Sequence, residues 1–298
     1  MAILRARCGR PGGHAGIPFR VKLLVCGAAG MLGQDVVRAA VLANHEVEAV
    51  DRSELDVTDA AAVEAAISRV RPDGVLNCAA FTDVDGSEHE PGEAMRVNAD
   101  GARNVAGAAS QIGASVAYVS SDYVFDGRKG SAYVESDEPT PLSSYGTSKL
   151  AGEVDTAAVN PRHFIVRSSW LFGTAGSNFV ETMLELAAAQ DEVLVVRDQR
   201  GSPTYTAHLA EGLVRLLATD AYGLHHLAAG GHCSWYEFAV AIFEEAGVDC
   251  RVLSTTTAEL SRPAPRPEYS VLETQWQDAI RLPEWRTGLR AYLGERAG

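Results

Sequence analysis

Long apolar runs are missing from this chain of 298 residues: the longest, such as Val21–Cys26, are broken by charge or glycine far short of the roughly 20 residues a bilayer-crossing helix needs. No membrane span is expected. Positive charge is also scarce. With 26 Lys and Arg against 39 Asp and Glu, the net charge is −13, which argues against nucleic acid, because polyanion binding relies on clustered basic side chains to displace counterions. Any phosphate must then be held locally by a few placed groups. Lysine is rarest of all: Lys22, Lys129 and Lys149 are the whole supply, so each lysine position carries information. The five cysteines are scattered and form no C-x-x-C pair, which suits a reducing compartment and leads to an expected cytoplasmic location. His225-His226 and His232-Cys233 lack a recognised ligand spacing, so no metal site is assigned to them. Internal repeats and low-complexity tracts are absent.

What is present is an ordinary globular composition, 46% hydrophobic and 22% charged, in a chain long enough for a full core. Residues 1–20 carry Arg5, Arg7, Arg10 and Arg20 without an apolar stretch of signal-peptide length and are expected to be a flexible extension. From Val21 onward short apolar runs alternate with amphipathic segments. Val21–Cys26, Val47–Val50, Gly74–Asn77, Ser115–Ser120, His163–Arg167 and Glu192–Val196 read as strands. Met31–Leu42, Ala60–Val70, Gly92–Ile112, Ser144–Val159 and Asn178–Ala189 read as helices. This rhythm predicts an α/β, Rossmann-type, doubly wound parallel sheet with ligands at the carboxyl ends of its strands. Thr206–Thr219 and Trp235–Ala246 read as further helices around a short Tyr222–Leu227 segment, and Ser261–Pro267, with three prolines, as an extended connector. The expected division is a core over 21–170 and, over 171–298, mainly a smaller substrate-binding lobe with some elements returning to the core.

Between the first strand and first helix stands Gly27-Ala28-Ala29-Gly30-Met31-Leu32-Gly33. Backbone amides at such a helix start can hold a pyrophosphate, and missing β-carbons let it come close. The G-x-x-G-x-x-G spacing alone also fits a tight strand-to-helix turn, but its context favours a dinucleotide. Asp51, 24 residues after Gly27 at the end of the second strand, can bind ribose hydroxyls, while the adjoining Arg52 could pair with a 2′-phosphate; NADH and NADPH both remain open. Asp56 and Val57 are placed to line an adenine, and Ala79 and Ala80 are small enough for a dinucleotide to lie across the third strand, or for close helix packing there.

Tyr145 and Lys149 stand four apart, so a helix puts both on one face. A phenol is a weak acid–base group at neutral pH, and a neighbouring ammonium is expected to lower its pKa toward the working range. Ser121, at the end of the fourth strand, can hydrogen-bond a carbonyl at the edge where a nicotinamide should lie; serines there also suit a turn.

The glycine loop, Ser120-Ser121-Asp122-Tyr123-Val124-Phe125-Asp126-Gly127, Tyr145-x-x-x-Lys149, Arg167-Ser168-Ser169-Trp170 and Asp198-Gln199-Arg200-Gly201-Ser202-Pro203-Thr204 together resemble the dTDP-4-dehydrorhamnose reductase family of extended short-chain dehydrogenases/reductases. The resemblance runs from about Val21 to Leu293. It implies hydride transfer from NADPH or NADH to C4 of dTDP-4-dehydro-β-L-rhamnose, with Tyr145 as general acid, Lys149 as its pKa partner and ribose contact, and Ser121, commonly threonine in the family, orienting the carbonyl. It further implies that Thr82, Val84, Asp122, Tyr123 and Trp170 contact the sugar nucleotide. Some members bind Mg²⁺ through acids at a dimer interface; Asp35 stands at one such position, yet partner acids are not identifiable, so a monomer or homodimer is expected and no metal is assigned. A ketoreductase for another dTDP-deoxysugar is the nearest rival, and a non-catalytic regulatory subunit, of the kind that resembles this family, a more distant one.

Overall fold

The computed structural model describes residues 20–297, so the expectation for an amino-terminal extension falls, but for Arg20, outside the described residues. In chain order the first half comprises β1 (Lys22–Cys26), α1 (Met31–Leu42), β2 (Glu46–Val50), α2 (Ala60–Val70), β3 (Gly74–Asn77), α3 (Gly86–His89), α4 (Pro91–Met95), α5 (Gly101–Gln111), β4 (Ser115–Ser121) and α6 (Ser144–Val159). There follow β5 (His163–Ser168), β6 (Leu171–Phe172), α7 (Phe179–Ala189), β7 (Glu192–Val196), β8 (Arg200–Gly201), β9 (Thr204–Tyr205) and α8 (Thr206–Leu217). The remainder is β10 (Gly223–His226), β11 (Cys233–Ser234), α9 (Trp235–Ala246), β12 (Arg251–Thr255), α10 (Thr257–Leu260) and α11 (Trp285–Ala297). Among the described residues no helix is long and apolar enough to cross a membrane.

Six strands form one parallel sheet in the order β10-β5-β4-β3-β1-β2. Both faces are covered, which is why the strands read as near-continuous apolar runs. Leu24 and Cys26 face the α2 and α5 side with Val63, Ile67 and Val105. Leu23 and Val25 face the α1 and α8 side with Val36, Leu209 and Leu213. A separate cluster of Phe172, Val180, Val193, Phe238, Ile242 and Tyr292 joins α7, α9 and α11. The chain winds outward from β1 to β2, then returns to place β3 on the other side of β1. That reversal leaves a crevice at the carboxyl ends of β1 and β3.

Three departures from the sequence reading have physical causes. Glu192–Val196 is a strand, but it pairs in parallel with β12, away from the six-stranded sheet, whose last place goes to β10. Pairing partners 50 or more residues apart leave no local mark in the pattern. The single helix read over Gly92–Ile112 is instead α4, a π turn over Arg96–Asp100, and α5. The wide turn serves Asn98, whose amide grips both backbone groups of Phe81 and the Ser148 hydroxyl. Helix α11, not expected from sequence, buries Leu289 and Tyr292 three residues apart on one face.

Helix α6 lies unusually close to its neighbours. A β-carbon on Gly152 would stand 2.1 Å from the Asn98 carbonyl oxygen and 2.3 Å from the Tyr118 hydroxyl. Gly107 of α5 has nothing within 4 Å of such an atom. Gly152→Ala is therefore expected to lower stability by ~1–3 kcal/mol through overpacking, whereas Gly107→Ala should be neutral or stabilise by up to about 1 kcal/mol through helix propensity; thermal or denaturant unfolding of the two variants checks the contrast.

Candidate active site

The bend after β1 depends on Gly27, whose φ of +74° is in the region that favours glycine. A β-carbon there would also meet the Ala79 nitrogen at 2.7 Å, so the bend and the segment after β3 touch through bare backbone. Gly30 is the N-cap of α1 and brings no side-chain cap, leaving the first amides of a 12-residue helix to face an anion. Beside the bend is a cavity of about 390 Å³ lined by Gly27, Ala29, Gly30, Asp51, Arg52, Asp56, Val57, Ala79 and Ala80. The Asp51 carboxylate accepts from the amide and hydroxyl of Ser53 and the amide of Glu54, and the Ser53 bonds hold its pKa below the usual value. Arg52 is 77% exposed and 3.8 Å from Glu93. Hydrogen bonds from Thr58 likewise keep Asp56 ionised.

A second cavity, of about 750 Å³, shares Gly30, Cys78, Ala80, Thr82 and Asp83 with the first, so the two make one trough across the switch point. Its walls carry Met31, Leu32, Gly33, Val84, Ser121, Asp122, Tyr123, Tyr145, Lys149 and Trp170. Every residue singled out in the sequence as a cofactor, catalytic or substrate candidate thus borders this trough.

Tyr145 and Lys149 are carried on the first two turns of α6. Ser143 caps that helix through Gly146, and Glu88 accepts from the amide and hydroxyl of Ser144. Gly146 lies against the Tyr123 carbonyl, 2.1 Å from where a β-carbon would be, which seats the helix on the 3₁₀ turn Asp122–Val124 that follows Ser121. Lys149 is 2% exposed, its ammonium 4.3 Å from the centre of the Tyr118 ring. Burial pushes it down to about 7, against the opposing pull of the Glu153 carboxylate. Tyr145 departs from the expectation of a phenol softened by the ammonium. Burial pushes it up to about 12, the Ser121 hydroxyl lowers it in part, and Asp122 adds to the rise. The rise due to burial prevails. The phenol therefore holds its proton throughout the neutral range.

The model of the RmlD substrate binding domain family matches residues 21–297. The chain belongs to that family. A dTDP-4-dehydrorhamnose reductase of Streptomyces griseus is 43% identical over 281 residues, 91% of this chain and 92% of the relative. A dTDP-4-keto-6-deoxy-D-glucose reductase of Streptomyces niveus is 38% identical, covering 89% of this chain and 94% of its own. The crystal structure of a dTDP-4-dehydrorhamnose reductase from Bacillus anthracis, in complex with NADP, superposes with a TM-score of 0.90 at 38% identity and covers 93% of this chain and all of that one.

Within this RmlD-type trough the structure adds residues that the sequence reading passed over. Trp170, at φ +49°, stacks on Trp235 with ring centres 3.6 Å apart and planes 4° from parallel. Gly201 leaves room for the Trp170 ring, which a β-carbon would meet at 2.4 Å. The sequence signals that Ser234 and Glu237 start a helix, by the capping box they form, but not that the intervening Trp235 faces the trough. Beneath Lys149, Glu153 accepts from Ser120 at 2.6 Å and from Arg167 through two bonds of 2.8 and 2.6 Å, all three residues buried. The ion pair fastens α6 to β4 and β5. Among the described residues no three His, Cys, Asp or Glu side chains converge on a metal position. Asp35 is buried, with the Thr206 hydroxyl on its carboxylate.

Because Glu153 and Arg167 are desolvated together, losing one strands the other. Glu153→Leu is expected to cost ~3–5 kcal/mol in denaturant unfolding. Glu192→Ala, which removes an exposed partner of Arg251, should cost less than about 1 kcal/mol; equal losses in the two would refute the assignment.

Proposed function

We propose that this chain reduces the C4 ketone of dTDP-4-dehydro-β-L-rhamnose to give dTDP-β-L-rhamnose, using NADPH or NADH. The observation that carries the proposal is the convergence of Ser121, Tyr145 and Lys149 on a trough that begins at the Gly27 bend. The residues fit a dinucleotide: a β-carbon at Gly27 would close the junction with Ala79, the α1 amides are free of a side-chain cap, and Asp51 borders the far cavity as an anion. The reduced nicotinamide, when bound, supplies the hydride.

The chain's own groups do the rest. Ser121 offers its hydroxyl to the ketone oxygen and fixes its orientation. Tyr145, kept protonated by burial, gives its hydroxyl proton to the alkoxide oxygen that reduction produces. Lys149 in its ammonium form stabilises the phenolate left behind and holds the ribose. Thr82, Val84, Asp122, Tyr123 and the Trp170–Trp235 stack form the wall for the sugar nucleotide. The relative from Streptomyces niveus supports a second reading, reduction of another dTDP-4-keto-deoxysugar, in which the same groups act and only that wall differs. A non-catalytic role is disfavoured because all three reacting side chains are retained and brought together. We read the protein as a cytoplasmic monomer or homodimer; the four described cysteines are unpaired, in keeping with a reducing compartment.

Purified protein should oxidise NADPH or NADH when given a dTDP-4-keto-deoxysugar generated in place, and Tyr145→Phe should lose at least ~100-fold of kcat with the fold retained. Product identification by mass spectrometry and NMR over a panel of 4-ketosugars separates the two readings, and full activity in Tyr145→Phe would remove the proposed acid. The pH profile has a definite sign. Since the Lys149 pKa is depressed to about 7 and its charged form is the useful one, kcat/KM should fall as pH rises through that value; a profile flat well into the alkaline range would contradict the role.

A further inference from the structure

The Ser121 hydroxyl owns a single hydrogen, and the structure shows a rival for it. The Tyr123 amide donates to Ser121 Oγ at 3.1 Å, and Ser121 Oγ in turn donates to Asp122 Oδ1 at 3.1 Å. The other carboxylate oxygen, Asp122 Oδ2, accepts from the Ser270 hydroxyl at 2.5 Å. Asp122 is 1% exposed. Among the described residues no Lys, Arg or His forms an ion pair with it; the buried arginines Arg266 and Arg167 pair with Asp85 and Glu153. A carboxylate in this position can only accept, so it takes the Ser121 hydrogen and leaves a lone pair toward the cavity. A carboxylic acid can accept from Ser270 on one oxygen and donate to Ser121 from the other, which frees the Ser121 hydrogen.

We propose that Asp122 is a positioning residue whose proton sets the direction of the Ser121 hydroxyl, so that the trough presents a hydrogen-bond donor to a ketone only while Asp122 is protonated. This rests on the reading of Ser121 as the carbonyl-orienting group and gives it a regulator. Burial without a counter-ion pushes the Asp122 carboxyl up to about 7, the Ser270 and Ser121 hydroxyls opposing the rise, so the change falls in the neutral range. The ionisable groups around it are Tyr145 from α6 and Tyr123 from its own turn, with Arg266 of the carboxyl-terminal connector acting on Tyr123. Both phenols are pushed up by burial, to about 12 for Tyr145 and further for Tyr123, so they stay neutral where Asp122 titrates. Ser270, which steadies the outer oxygen, is itself held to the Arg200 carbonyl through its amide. The seating of that connector is thereby linked to the catalytic hydroxyl.

The test is the pH dependence of kcat/KM for the ketosugar in three proteins. In the wild type two groups, Lys149 and Asp122, must both keep their protons, so the logarithm of kcat/KM should descend with a slope approaching about −2 on the alkaline side. The amide in Asp122→Asn can accept from Ser270 and donate to Ser121 at every pH. Whatever its absolute rate near pH 6, that variant should descend with a slope near −1. Ser270→Ala removes a bond that favours the carboxylate, so its descent should begin at higher pH than in the wild type. A wild-type slope retained in Asp122→Asn, or a descent in Ser270→Ala displaced to lower pH, overturns the proposal. Absence of turnover in the wild type would instead remove the underlying reading of the site.

Discussion

The site depends on how closely one helix can lie against the sheet and the turn that follows β4. Helix α6 meets the Tyr123 carbonyl at Gly146 and the Asn98 carbonyl and Tyr118 hydroxyl at Gly152, each at a distance that excludes a β-carbon. Such contact brings the helix backbone directly against its neighbours. Lys149, carried between those two glycines, is held buried against Tyr118 of β4, and Tyr145, one residue before the first of them, packs its ring edge-on to Tyr123 of the turn that follows Ser121. The π turn, the Asn98 amide and the Glu153–Arg167 pair all act on the same helix from different sides.

Desolvation then decides the acid–base character of the site. The Lys149 ammonium is depressed to about 7 and the Tyr145 phenol raised to about 12, both toward the neutral form, as burial requires. For the proposed reduction this is a suitable state of the phenol, since an acid must still hold its proton when an alkoxide appears. It also has a cost. A lysine whose folded pKa lies below its unfolded value weakens folding progressively as pH falls from about 10 to about 7, by on the order of 5 kcal/mol in all. The buried carboxylate of Glu153 already holds that figure down. A helix docked less tightly would carry a more stable but chemically more ordinary lysine.

What the sequence disclosed was local. The glycine bend, the four-residue spacing of Tyr145 and Lys149, the acid at the end of β2 and the alternation of strands with helices each depend on neighbours within a few turns, and all border or build the trough. What it concealed was non-local or electrostatic. The pairing of β7 with β12 spans more than 50 residues, and the Trp170–Trp235 stack joins a strand end to a distant helix start. The Asp122–Ser270 bond likewise unites positions 148 apart. The expectation that the ammonium governs the phenol failed for a related reason: spacing gives adjacency, whereas the sign and size of a pKa shift follow from burial, which only the packed structure supplies.

We propose that a dinucleotide lies along the trough with its reacting end beside Tyr145, facing a ketone held by Ser121. The most direct measurement is isotopic. Protein incubated with dTDP-4-dehydro-β-L-rhamnose and NADPH dideuterated at C4 of the nicotinamide should yield dTDP-β-L-rhamnose bearing one deuterium at the sugar C4, read by NMR. Deuterium at another carbon, or recovery of unreduced ketone with the dinucleotide bound, would contradict it.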